Sequence, residues 1–113
     1  MIQVVNKYKH VPTKDDCFIG RPSPLGNPYS HMAGTTAIFT VSSREEAVQK
    51  YEEYLTSAVN DNVRVKTEID RLVQKAVSGD LNLVCYCKPK ACHGDVIKKV
   101  IEERMNKIDR SIG

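Results

Sequence analysis

Leu81-Asn82-Leu83-Val84-Cys85-Tyr86 runs into Cys87-Lys88-Pro89-Lys90-Ala91-Cys92-His93-Gly94-Asp95, and this in turn into Val96-Ile97-Lys98-Lys99-Val100-Ile101. This stretch decides the fold. Its opening is short, apolar and bounded by a loop, which predicts a buried β-strand. From Val96 onward, Val96, Ile97, Val100, Ile101, Met105 and Ile108 recur at helical intervals, and Asp95 is placed to cap that helix. A strand, a tight loop and a helix in that order form half of a βαβ unit. In open α/β sheets, ligands sit at the carboxyl end of such strands, where helix N-terminal amides attract anions.

Two further helical patterns precede the stretch. Ser43 stands three residues before Glu46, the spacing of a capping box. Ala47, Val48, Tyr51, Tyr54, Leu55 and Ala58 then share a face until Asn60-Asp61-Asn62 breaks the run. Val65, Ile69, Leu72, Val73, Ala76 and Val77 make a second apolar stripe, and Gly79 is placed to end it in the left-handed conformation. Ile2-Gln3-Val4-Val5-Asn6 and residues 37–41 read as strands. Residues 7–36 show little periodicity and hold four of the five prolines. A segment so long and irregular usually carries function or moves. Strands separated by helices predict one α/β domain over residues 1–113: a small Rossmann-like, parallel or mixed sheet of three to four strands flanked by helices.

Composition sets the limits. The chain has 113 residues, 41% apolar and 27% charged, with a net charge of +3. That is the length and balance of one globular domain, too apolar for a disordered tail. No apolar run approaches the roughly 20 residues a bilayer crossing needs. Met1-Ile2-Gln3-Val4-Val5 lacks the basic and apolar regions of a signal peptide. The expectation is therefore a cytoplasmic protein without membrane contact. The charges interleave too evenly for duplex nucleic acid. In that compartment Cys17, Cys85, Cys87 and Cys92 point to metal binding or chemistry before disulfides.

Two loops carry the chemistry. In Gly20-Arg21-Pro22-Ser23-Pro24-Leu25-Gly26-Asn27-Pro28-Tyr29, glycines and prolines set an unusual backbone path. Arg21 offers a planar fork for phosphate or carboxylate, Asn27 a donor and an acceptor for a base edge or ribose hydroxyl, and Ser23 a further hydroxyl. A rigid surface loop with solvated polar residues explains the same composition. In the second loop, Lys88 and Lys90 add positive charge, and Gly94 would let a ligand approach the backbone. Three readings compete there. Cys85, Cys87, Cys92 and His93 could bind zinc, with Cys17 in reserve, although Cys-x-Cys-x4-Cys-His is not a paired-knuckle spacing and adjacent Cys92 and His93 point at one ion with difficulty. A thiol near helix amides would be acidified while His93 bonds a substrate. Or Cys85 and Cys87 are simply small buried apolar groups.

The two loops, joined by Ser-Arg-Glu-Glu-Ala-Val-Gln-Lys-Tyr-Glu-Glu-Tyr-Leu at 43–55 and Cys-Tyr-Cys-Lys-Pro-Lys-Ala-Cys-His-Gly-Asp-Val-Ile at 85–97, closely resemble the family called domain of unknown function 4326. The likeness runs from about residue 2 to 103 in the right order. Tyr86 stands where that family often has tryptophan. The resemblance implies that both loops belong to one site, and that the protein is of the kind found in bacteriophages and some bacteria.

Together these readings predict a phosphorylated ligand, a nucleotide or an ADP-ribose-like molecule, at the carboxyl edge of the sheet. Arg21, Ser23, Asn27, Lys88, Cys92, His93 and Gly94 would bind it. If the protein is an enzyme, Cys87 or Asp95 would serve as nucleophile or base at a glycosidic or phosphate bond, as hydrolase or transferase. As a phage protein it would then counteract a host nucleotide-signal defence, by analogy with other small phage proteins. No cofactor is expected beyond the zinc alternative. That alternative makes it a metal-stabilised interaction module without a small ligand, and a homodimer is left open in either case.

Overall fold

In the computed structural model of the chain, residues 1–21, 23–30, 39–86, 88, 90 and 92–112 are described, apart from the side chains of 30 and 108–112. The elements follow in the order β1 (Ile2–Asn6), β2 (Asp16–Phe18), β3 (Tyr29–Ser30), β4 (Phe39–Thr40), α1 (Arg44–Asp61), α2 (Val63–Ser78), β5 (Leu81–Cys85) and α3 (His93–Ile112). β1, β5 and β2 form a parallel sheet in that spatial order, with Leu83 beside Val4 on one edge and Cys17 on the other. β3 and β4 pair separately, also parallel.

The central position of β5 accounts for its composition. It is bonded on both edges and covered on both faces, so Leu81, Leu83, Val84 and Cys85 are all buried. A strand covered on both faces reads as an apolar run, and here the one polar residue, the half-buried Asn82, bonds Asp16. Side chains alternate across the sheet. Leu81, Leu83 and Cys85 join the main core with Ile2, Cys17 and Ile19. Against them pack Tyr51 and Leu55 of α1, Ile69 and Leu72 of α2, and Ile97 and Ile101 of α3, each of these at most 1% exposed. The three helices also pack on one another.

The other face carries Asp16, Phe18, Asn82 and Val84. Residues 7–15 cross it on their way from the end of β1 to the start of β2. A polar cluster fastens that crossing. The Asp16 carboxylate accepts from the Thr13 amide at 3.1 Å, the Thr13 hydroxyl at 3.1 Å and Asn82 Nδ2 at 3.1 Å, and lies 2.9 Å from His10 Nε2. Burial pulls the Asp16 carboxyl up, but the bonds from Thr13, His10 and Asn82 outweigh it and hold the group at about 2.

Asn62 separates α1 from α2 and serves both. Its backbone N–H bonds Ala58 O and its side chain caps α2 at the Val65 amide. Ser43 caps α1 by accepting from the Glu46 amide at 3.0 Å, as its spacing predicts. Such a cap contributes about 1 kcal/mol.

Several expectations are corrected. β2 lies within the segment that shows no periodicity. Of the strand expected over 37–41, Phe39–Thr40 is found and pairs outside the main sheet, while 37 and 38 fall outside the described residues. Val77 is 52% exposed, one position beyond the buried stripe of α2, and the Ile108 side chain is outside the described set. Gly79 has φ 177°, an extended backbone and not the left-handed one. α3 begins at His93, so Asp95 lies within its first turn and does not cap it.

Asp16 has a lowered pKa in the folded chain, so its stabilising effect is complete above about 3.8, the ordinary value for aspartate, and is lost as pH falls towards 2. In denaturant titrations Asp16→Asn is expected to be less stable than the parent at pH 7, with the gap closing between pH ~4 and ~2.

Candidate functional site

β2 ends at Phe18 and β5 at Cys85, so residues 19–28 and 86–92 leave the same carboxyl edge of the sheet. The two segments touch. His93 Nε2 lies 2.6 Å from Ile19 O, and the His93 ring meets Tyr51 edge-on at 5.0 Å. Burial pushes the His93 pKa down, and the Arg21 charge adds to this against the Ile19 bond. A neutral ring bonded to a carbonyl must donate from Nε2, which leaves Nδ1 as the acceptor. Cys92 Sγ lies 3.8 Å from that Nδ1 and accepts from the Gly94 amide at 3.3 Å. The Asp95 amide donates to Cys92 O at 3.1 Å. The amides of Gly94 and Asp95 are thus already bonded within the chain.

Cys92, His93 and Gly94, expected as ligand contacts, are each engaged within the chain in this arrangement. Cys92 is 1% and His93 8% exposed. A Cβ on Gly94 would stand 2.7 Å from Val4 Cγ1 and 2.9 Å from Ile19 Cδ1. The glycine therefore lets α3 approach the sheet, and its open side faces packed side chains.

The first loop is held in the same manner. Ser23 N–H bonds Gly20 O at 2.8 Å and Gly26 N–H bonds Ser23 O at 2.9 Å, two successive turns. Leu25 is buried, and its carbonyl accepts from the Tyr51 hydroxyl at 2.7 Å. Asn27 Nδ2 donates to Ala47 O at 3.1 Å, and its Oδ1 accepts from the Tyr29 amide at 2.9 Å. Arg21 Nη1 donates to Asn27 O at 2.7 Å. Asn27 therefore fastens the loop to α1, using the two bonding groups that the sequence reading assigns to a base or ribose.

Beside this loop lies a cavity of about 250 Å³. Arg21, Ser23 and Asn27 line it together with Tyr54, Asn62 and Arg64. Asn62 and Arg64 come from the start of α2, whose N-terminus also faces the carboxyl edge because α2 runs back to the beginning of β5. The Ser23 hydroxyl is buried and is the one buried side-chain polar atom without a partner among the described residues. Arg21 and Arg64 form no ion pair with any described residue. Arg64 is absent from the sequence reading, where it looks like any charged residue in a first helical turn.

Lys88 is placed elsewhere. It lines an open hollow of about 490 Å³ with Asn6, Lys9 and His10. Its ammonium lies 2.7 Å from the Asp95 carboxylate, and that bond raises its pKa. The structure thus brings Arg21, Ser23 and Asn27 together and separates Lys88 and Asp95 from their cavity. Cys87 lies outside the described residues. Of the zinc set, Cys85 and Cys92 are buried, and no group of His, Cys, Asp and Glu among the described residues could hold a metal ion. Nor is any described helix long and apolar enough to cross a membrane.

Residues 2–103 match the family described as a domain of unknown function, DUF4326, and the chain belongs to that family. It is also 30% identical over 101 residues to an uncharacterized 12.4 kDa protein from the nrdA-td intergenic region of Enterobacteria phage T4, covering 89% of this chain and 78% of the phage protein. No solved structure matches.

Gly94→Ala is expected to lose about 1–3 kcal/mol of stability in chemical denaturation, because the added methyl overpacks the Val4 and Ile19 contact. His93 has a lowered pKa when folded, so its contribution is complete above about 6.5 and declines as pH falls. His93→Gln keeps a donor near the Nε2 position without a titrating ring. Its stability should therefore change less than the parent's between pH 7 and 5, as read from denaturant midpoints.

Proposed function

We propose that this member of the family binds a phosphorylated small molecule of the nucleotide or ADP-ribose type in the cavity between residues 20–28 and the start of α2. One observation carries the reading. Among the described residues, two arginines without a carboxylate partner, Arg21 and Arg64, line the cavity with a buried, unbonded hydroxyl, Ser23. Paired guanidinium forks suit a phosphate or diphosphate. A buried hydroxyl left unbonded costs about 1–3 kcal/mol, which a phosphate or sugar oxygen would restore. The cavity's size suits a phosphate with its sugar, and the remaining part of a larger ligand would extend outward.

The proposed site lies at the carboxyl edge of the sheet, at the start of α2 and not of α3. Binding fits this arrangement better than cleavage. Asp95, one of the two candidate catalytic groups, is held by Lys88 and does not line the cavity. A protein that holds such a ligand intact acts by sequestration. In an infected cell the ligand would be a host nucleotide signal, and withdrawing it would blunt a defence that depends on it.

Isothermal titration with ADP-ribose, ADP and pyrophosphate tests this. At least one should bind, and Arg64→Gln should weaken it about 10- to 150-fold, the equivalent of the ~1.5–3 kcal/mol of a charge-assisted hydrogen bond. Arg64→Gln is the cleaner variant, since Arg21 also bonds Asn27 O. Mass spectrometry after incubation should return the ligand unchanged. No binding by any of the three, or equal affinity in Arg64→Gln, would overturn the site, and cleaved ligand would overturn sequestration.

A further inference from the structure

On the sheet face away from the helices, Lys7, Tyr8, Lys9 and His10 come together with Tyr86 and Lys88 beside Phe18. The Tyr8 and Tyr86 rings lie 5.4 Å apart, tilted by 42°, and Phe18 meets Tyr86 edge-on at 5.5 Å. Tyr8 is 80% and Tyr86 45% exposed. Lys7 Nζ lies 5.0 Å from the Phe18 ring centre and 5.6 Å from that of Tyr86. Large rings this open, grouped and not scattered, mark a contact surface.

The cluster is built and not incidental. Asn6, the last residue of β1, holds both halves. Its Oδ1 accepts from the Tyr8 amide at 2.8 Å, while its Nδ2 donates to Lys88 O at 2.6 Å and Tyr86 O at 3.3 Å. The Lys7 amide adds a bond to Cys85 O at 2.8 Å. Gly20 leaves the space that the Phe18 ring fills, since a Cβ there would stand 2.4 Å from Phe18 Cζ.

Charge identifies the occupant. Lys7, Lys9, Lys14, Lys88 and Lys90 fall in 7–14 and 86–94, which hold no acidic residue; of these Lys88 is paired with Asp95, and His10 lies against Asp16. Among the described residues Lys7, Lys9 and Lys90 form no ion pair. A protein partner would find this patch unsuited, because the buried centres of protein interfaces are depleted in lysine. Aromatic faces interleaved with unneutralised lysines match a chain of bases and phosphates. The bases must be unpaired to reach the rings, which excludes a duplex.

We propose that this face binds single-stranded nucleic acid, stacking bases on Tyr8 and Tyr86 while Lys7 and Lys9 meet the phosphates. Asn6 acts as a positioning residue through the two backbone segments it fastens. This surface is separate from the Arg21–Arg64 cavity and does not depend on it.

Fluorescence anisotropy at low salt with labelled oligothymidylate and oligouridylate, each against a matched duplex, tests the proposal. Either single strand should bind at least tenfold tighter than duplex, the approximate size of one lost base–ring stack. Tyr8→Ala should weaken binding about 5- to 150-fold, as for one lost stack, and Tyr8→Phe should stay within about twofold. Tyr8 is exposed enough that neither variant threatens folding. Lys9→Gln should lower the slope of log affinity against log salt by about 0.7. Arg64→Gln should change nothing, which separates this surface from the small-molecule cavity. No binding of either single strand, duplex binding of equal strength, or Tyr8→Ala with the parent affinity would overturn the proposal.

Discussion

The bond from the His93 ring to the Ile19 carbonyl sets the arrangement of everything at the carboxyl edge. Ile19 follows β2 and His93 opens α3, so this contact fixes the exit of one strand against the entry of a helix that follows another. The close packing of Gly94 on Val4 and Ile19 brings the helix near enough for the bond to form. Tyr51 extends the constraint to α1, touching the His93 ring and bonding Leu25 O. Buried polar groups are expensive unless bonded, and here each bond satisfies a group that would otherwise oppose folding. A ring that must remain neutral and oriented is therefore part of the scaffold.

This explains why the two conspicuous motifs behave as they do. Gly20, Gly26 and Gly94 answer to side chains or backbone at close range, and Asn27, His93 and Cys92 bond within the chain. Such loops need particular residues at particular positions because their backbone follows no repeating ladder. Each carbonyl or amide must find its own partner. Side-chain identity is then dictated by geometry in the same way that a ligand would dictate it, and the two causes look alike in a sequence.

The fold was legible where its forces are periodic. Ala47, Tyr51 and Leu55, and Val65, Ile69 and Leu72, recur at the helical interval because each helix buries one face, and β5 is apolar at every position but Asn82 because four of its five residues are buried. β2 was not legible. It is three residues long, Asp-Cys-Phe, and its edge position leaves an acid at one end held by Thr13, His10 and Asn82. No local pattern marks such a strand, since its partner lies far along the chain. The meeting of the two loops was legible from topology, as both leave the carboxyl ends of parallel strands. Their separation from Lys88 was not, because it depends on which side of the sheet the 86–92 turn faces.

The same distinction governs the groups free to meet a ligand. Arg64 and Tyr8 form no motif: one reads as a charged residue on a helix and the other as an aromatic in an irregular segment. A scaffold residue is specified by several neighbours at once, whereas a ligand contact must keep part of its bonding capacity unspent and so has fewer constraints within the chain. Ser23 shows this most clearly. It lies in a loop whose turns are bonded at its own amide and carbonyl, yet its hydroxyl is buried and meets no partner among the described residues. Alanine would meet the backbone requirements there without the cost of the buried oxygen, about 1–3 kcal/mol. The fold alone gives no reason for that oxygen, and the proposed ligand beside Arg21 and Arg64 would supply one.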